Sequence, residues 1–276
     1  ERRRQLVARQ DSLVAAGRRR VRNAHLAEHA FEGQTRDELA ARAFGHQPVV
    51  DEDLAQMNVD KGMMTLVDEA RQAQLLAHLQ GHLVKASHAS GGSAGNSMIA
   101  TAQFGGPTFM SCKVAADRDG DIYVADLEAA GVDHGLNGSR AAGTTGKCLV
   151  LITPDAERSM NTFLGISETL SVEDVHAAAI AASEYLYIEG YLVTSATGRA
   201  AAIAAREFAG RNGVRTALSF SDPGIVAHFR DGLADMIGPD GVDLLFCNLA
   251  EAQQWTGEQR LEDAAGGLRK VARSFA

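Results

Sequence analysis

Between Glu184 and Cys247 the chain alternates strand-like and helical patterns with little room between them. "EYLYIEGYLV" (184–193) reads as a strand, and "SATGRAAAIAAREFAG" (195–210) as a helix closed by glycine. "VRTALSFS" (214–221) is again strand-like, "GIVAHFRDGLADMIG" (224–238) helical, and "VDLLFC" (242–247) a short apolar run of the kind a buried strand shows. Short runs of this kind joined by helices imply parallel strands with crossover connections and cover on both faces. The fold class expected is therefore α/β, with a mostly parallel sheet. Ligands of such sheets bind beyond the carboxyl ends of the strands, where Asp222 and Asn248 stand.

The flanking stretches extend this pattern. "SVEDVHAAAIAAS" (171–183) opens with Ser171 and Asp174 in an S-x-x-D cap and reads as a helix. "RLEDAAGGLRKVARSFA" reads as helical to the last residue. Upstream, "GMMTLVD" (62–68) is strand-like, "EARQAQLLAHLQ" (69–80) an amphipathic helix, and "PTFMSCKVA" (107–115) strand-like. Residues 119–130 are helical up to Gly131, and "KCLVLITP" (147–154) with "ERSMNTFLG" (157–165) form a hairpin.

Charge divides the chain. Ten of its 27 basic residues, all arginine, lie in the first 50 positions against six acids, although the whole chain carries −8. Residues 1–50 are therefore expected to be a separate arginine-rich helical leader. The net charge argues against nucleic acid as a partner of the whole chain. No apolar run approaches bilayer length, so no membrane partner is expected. Three dispersed cysteines, Cys112, Cys148 and Cys247, suit neither a disulfide framework nor a metal site. They are expected to be buried small hydrophobes in a reducing, cytoplasmic protein.

The stretch richest in glycine is "GGSAGNSMIATAQFGG" (91–106). It lacks the lysine of a G-x-x-x-x-G-K-S/T phosphate loop. "AAGTTGKC" (141–148), the nearest imitation, has Ala141 for the first glycine and Cys148 for the hydroxyl. Nor does the stretch carry the G-x-G-x-x-G of a dinucleotide turn. Two readings stay open: backbone amides of the glycines meeting ligand hydroxyls beside Asn96, or glycines used only for the geometry of a helix start. His176 and His228 lack partners at metal spacing and read as surface or packing residues. Glu189, inside an apolar strand, is either a buried acid near a ligand or an edge or ion-paired residue. Asp222-Pro223 is a strand-end acid or a common turn.

Taken in order, "GGSAGNS", "FGGPTFMSCKVAADRDGDIYVADLEAAGVD", "GTTGKCLVLITPDAERSMNTFLG", "YLYIEGYLV", "SFSDPGIVAHFRDGL" and "DLLFCNLAEAQQWTG" resemble the ribokinase/PfkB family of sugar and nucleoside kinases. Within it, "VDKGMMTLVDEAR" and "DPGIVAHFRD" look most like the adenosine-kinase-like branch. The likeness covers about residues 51–276, expected to be a partial kinase domain. It implies a doubly wound α/β domain with a small β lid, which allows a homodimer through the lid. It further implies ATP and Mg2+ as cofactors and a sugar or nucleoside as substrate. By this resemblance Gly91, Gly92, Ser93 and Asn96 would hold acceptor hydroxyls, and Arg158 would lean toward the phosphates. Asn248 and Glu251 match the family's N-x-x-E, which orders magnesium and its waters. A carboxylate and an amide oxygen one helical turn apart suit a hard cation that keeps most of its water. Leu249 stands where many relatives have an acid.

Two family features are missing. The 276 residues contain no D-T-x-G-A-G-D, which supplies the catalytic aspartate and the anion hole, and "FGHQPVVD" replaces the family's first strand, so Asp51 is not equated with its acceptor-gripping aspartate. The expectation is a kinase-lineage chain cut at both ends, with little or no turnover and no catalytic residue to name. The alternative is a non-catalytic ligand-binding or oligomerisation module on the same fold.

Overall fold

The computed structural model describes residues 49–79, 90–136, 138 and 140–276. The expected leader, apart from its last two residues, lies outside them. Among the described residues the chain forms two compact units, one from 49–62, 77–79 and 151–159, the other from 63–76, 90–136, 138, 140–150 and 160–276.

The elements in chain order are α1 (Asp51–Gln56), β1 (Met64–Leu66), α2 (Glu69–His78), α3 (Ser93–Gln103), β2 (Phe109–Met110), α4 (Arg118–Ala130) and β3 (Asp133–His134). There follow β4 (Lys147–Ile152), β5 (Arg158–Phe163), α5 (Ala177–Ala181), β6 (Tyr185–Glu189), α6 (Ala196–Arg211), β7 (Arg215–Ser219) and α7 (Pro223–His228). The last are α8 (Arg230–Ile237), β8 (Val242–Phe246), α9 (Leu249–Thr256), α10 (Leu261–Leu268) and β9 (Ala272–Phe275).

In the first unit Lys61 bridges Asp51 at 2.8 Å and Asp155 at 2.7 Å. Thr153 Oγ1 donates to the same Asp155 at 2.5 Å, and Gly62 N donates to the buried Ser159 Oγ at 3.0 Å. Among its described residues Leu54, Met57, Leu79 and Leu151 are buried and apolar.

The second unit is built on a parallel sheet in the order β6-β7-β8-β9. Thr216, Ala217 and Leu218 are buried in succession, so both faces of β7 are covered, as the apolar runs predicted. Ile188, Leu218, Phe220, Leu233, Met236, Leu245, Trp255 and Leu268 share one core. Phe220 and Trp255 lie ring to ring at 4.9 Å. A smaller parallel pair joins β2 to β3, and β1, β5 and β4 form a separate small sheet in that order. The architecture is α/β with mostly parallel sheets, and the small sheet contains the hairpin strands expected of a lid.

Helix boundaries follow local chemistry. Asp117 N-caps α4 by accepting from Gly120 N at 2.8 Å, and Gly131 closes it in the left-handed region (φ 77°). Ser195 caps α6 at 2.9 Å, and Asp222 with Pro223 opens α7 at 2.7 Å.

Several expected elements are different in the structure. Residues 171–183 are not one helix. The Ser171–Asp174 box caps a 3₁₀ turn, Val175 is extended (φ −89°, ψ 123°) and packs on the Ile180–Val214 cluster, and α5 is only a short helix. The 224–238 helix breaks at Phe229 (φ −124°, ψ 27°) into α7 and α8. The chain does not stay helical to its end. After Gly266-Gly267 the segment 272–275 becomes β9, with Val242 opposite Ala272 and Leu245 opposite Phe275. A free ladder edge on β8 outweighs the high intrinsic helix propensity of alanine and arginine there. The strand expected over 107–115 is only Phe109–Met110. Cys148 is exposed rather than buried, because β4 turns residues 148, 150 and 152 outward.

Candidate functional site

The glycine loop of the second unit is held between two serines. On one side Ser90 N and Oγ both donate to Asp126 Oδ2 of α4, at 3.0 and 2.7 Å. On the other, Ser93 opens α3, and its Oγ donates to Glu189 Oε2 at 2.5 Å. Gly91 and Gly92 lie between them, exposed. Gly92 has φ 85°, which by itself calls for glycine. At Gly91 an added Cβ would meet nothing within 4 Å, and its φ is ordinary, so packing does not explain its lack of a side chain. Gly95 differs: a Cβ there would sit 2.7 Å from Tyr123 Oη. Asn96 is exposed one turn into α3, which begins at Ser93.

Glu189 ends β6 and is the residue the sequence left open. Its carboxylate accepts from three hydroxyls: Ser93, Tyr187 (3.1 Å) and Ser221. Ser221 carries an unusual backbone (φ 71°) just after β7, and its N–H donates to Ser219 Oγ at 3.0 Å. Gly190 makes the close approach possible, since a Cβ there would come within 2.3 Å of the Ser219 carbonyl oxygen and 2.8 Å of Ser221 Oγ. The only hint in the sequence was an acid followed by glycine at the end of an apolar strand.

Asn248 and Glu251 follow β8 and close on each other. Asn248 Oδ1 accepts from Glu251 N at 2.9 Å, while Asn248 N and Nδ2 donate to the two carboxylate oxygens at 3.0 and 2.9 Å. This is a capping box at the N-terminus of α9. Glu251 is only 5% exposed. Burial pushes its carboxyl above the usual range, the Asn248 backbone amide opposes that, and the charges of Asp222 and Glu189 add to it. The same carboxylates, with burial first, push up the Tyr191 phenol. Three acids from the carboxyl ends of β6, β7 and β8 thus share one field. Among the described residues no three His, Cys, Asp or Glu side chains are grouped closely enough to ligate a metal directly.

Of the residues singled out by resemblance, the structure brings Ser93 to Glu189 and Asn248 to Glu251. Gly91 and Gly92 form the exposed loop, and Asn96 lies on α3 with its backbone N–H donating to the Gly92 carbonyl at 2.9 Å. Arg158 belongs to the first unit, exposed at the first position of β5. No described helix is long and apolar enough to cross a membrane.

An adenosine kinase of Schizophyllum commune is 30% identical over 166 residues, which is 56% of this chain and 46% of that protein. The chain thus spans about half the length of this curated relative. Among solved structures, a probable sugar kinase from Rhizobium etli CFN 42 is 31% identical with TM-score 0.75, over 82% of this chain and 67% of that one. The adenosine kinase of Sinorhizobium meliloti matches equally well, at 31% and 0.75 over 82% and 68%. Residues 59–274, nearly the whole of the part holding this loop and these acids, match the pfkB family carbohydrate kinases, and the chain belongs to that family.

Proposed function

We propose that this chain holds the acceptor in an ATP-dependent phosphorylation of a sugar or nucleoside hydroxyl, with a nucleoside such as adenosine as the favoured acceptor. The supporting observation is the glycine pair: two exposed backbone units pinned on both sides by carboxylate-held serines, at the carboxyl edge of a parallel sheet. The exposed amides of Gly91 and Gly92 are proposed to meet vicinal hydroxyls, with the exposed Asn96, four residues on, offering a further donor and acceptor. Two of the three relatives named above are adenosine kinases, which favours a nucleoside over a simple sugar.

The proposed division of labour places acceptor binding within 51–276 and leaves 1–50 as a leader. Asn248 and Glu251 are the proposed magnesium-ordering pair. Their oxygens are spent on each other, so they fit a cation held through water, and the shared field of Glu251, Asp222 and Glu189 favours positive charge nearby. Magnesium, when bound, supplies charge neutralisation of the transferring phosphoryl group. Arg158 is proposed to face the phosphates. No D-T-x-G-A-G-D occurs in these 276 residues, so the 276-residue polypeptide is proposed to bind acceptor with little turnover.

The test pairs two assays on the full chain. Calorimetry with adenosine and with ribose should show adenosine binding; binding of neither overturns the acceptor site. A coupled ADP-release assay should stay near background, and substantial turnover overturns the proposed impairment.

A further inference from the structure

We infer that Glu189 is a positioning residue that couples the acceptor loop to the turn after β7, by holding Ser93 and Ser221 on one carboxylate. The inference builds on the acceptor reading above, but its geometry stands independently. Ser93 directly follows Gly92, so the 2.5 Å bond to Glu189 Oε2 sets where the glycine amides point relative to the sheet. Ser221 Oγ donates to the other oxygen, Oε1. Ser221 precedes Asp222, the N-cap of α7 and one of the three acids at the sheet's carboxyl edge.

The backbone at Ser221 shows that this contact is enforced. A serine at φ 71° is costly and persists only where its surroundings over-determine it. Those surroundings are visible: the Glu189 carboxylate on its hydroxyl, Ser219 Oγ on its amide, and Gly190 leaving room for both. All three donors on Glu189 are neutral hydroxyls from separate points of the chain, at residues 93, 187 and 221. A residue that only stabilised β6 would not need partners from α3 and from the turn after β7 together. With both oxygens engaged, any shift of the acceptor loop alters the restraint on the Asp222 turn, and the reverse holds as well.

The experiment uses the full chain with Glu189→Gln, Ser93→Ala, the double variant of these two, and Ser93→Ala/Ser221→Ala. Amide hydrogen exchange without ligand is read first. Glu189→Gln should lower protection about 10-fold at amides 94–97 and at 221, 222 and 224 together, with Leu218 and Leu245 unchanged. Loosening of one side only, or spread through β7 and β8, overturns the inference. Adenosine affinity by calorimetry should fall about 10-fold in Glu189→Gln, and adding Ser93→Ala should cost nothing more, because both act through one contact. Additive losses overturn it. Should Glu189→Gln fail to fold, Ser93→Ala/Ser221→Ala keeps the carboxylate and must reproduce the two-sided loosening; protection at wild-type level there overturns the coupling. If the wild-type chain binds no adenosine, the acceptor reading falls, while the exchange pattern still decides whether Glu189 couples the two segments.

Discussion

Replacing Asn248 by alanine removes two interactions whose sizes can be read from the box at the start of α9. The first is the helix cap, Asn248 Oδ1 accepting from Glu251 N at 2.9 Å. Loss of such a cap costs about 1 kcal/mol. The second is Nδ2 donating to Glu251 Oε1 at 2.9 Å. Without it a carboxylate that is only 5% exposed keeps one protein donor, the Asn248 backbone amide. Depriving a buried charged acceptor of a partner costs about 1–3 kcal/mol, and the exposed Asn248 position lets water recover part of that. The expected total is about 2 kcal/mol, a drop of about 4–8 °C in melting temperature for a domain of this size. Asn248→Ser keeps a cap oxygen but is too short to reach Oε1, so it should lose only about half as much.

The effect should also depend on pH, with a definite sign. The Glu251 carboxyl is raised above its ordinary value by burial first and then by the Asp222 and Glu189 charges. A raised carboxyl contributes its full stability in acid and loses it as pH climbs from the unfolded-state value through the folded one. Removing a donor to the charged form enlarges that loss. The Asn248→Ala deficit should therefore grow from about pH 4 to pH 7. Thermal unfolding followed by circular dichroism at both pH values measures it. A deficit under about 0.5 kcal/mol at neutral pH, or one larger in acid, would refute the reasoning.

Two further outcomes are expected. Phe220→Ala empties a fully buried site against Trp255 and should lower stability by about 3–5 kcal/mol, read as a shift of the guanidinium midpoint at constant slope. Alkylation by iodoacetamide at neutral pH should mark the exposed Cys148 well before the others, since burial pushes the Cys112 thiol up to about 12 and the Cys247 thiol up to about 11. Peptide mass spectrometry showing Cys112 modified as fast as Cys148 would contradict this.

Local chemistry made the second unit's framework legible. The helix end at Gly131, the Asp222-Pro223 turn, and the short apolar runs of β6, β7 and β8 each announce themselves within a few residues. What stayed hidden depends on distant partners. Residues 272–275 have no strand signal strong enough alone; the ladder of β8 makes them a strand. Val175 leaves the helical path because it packs on a cluster that includes Ala205, Ala209 and Val214. The site follows the same division. The glycine pair and the Asn248–Glu251 spacing were visible as patterns. The role of Glu189 was not, because its hydroxyl partners at 93 and 221 are separated from it by 96 and 32 positions.

The placement of the single tryptophan has an optical consequence. Trp255 lies in α9, the helix opened by the Asn248–Glu251 box, with the Phe220 ring at 4.9 Å and the Arg230 guanidinium 4.6 Å from its ring centre. Phe220 leads from β7 into the Ser221 turn, and Arg230 begins α8. The indole is thus flanked by groups from the two segments that follow β7, so its emission wavelength and intensity follow any relative movement among them. Titrating magnesium or a nucleoside against unlabelled protein then yields a spectroscopic signal from the helix that carries Glu251, with no second tryptophan to blur it.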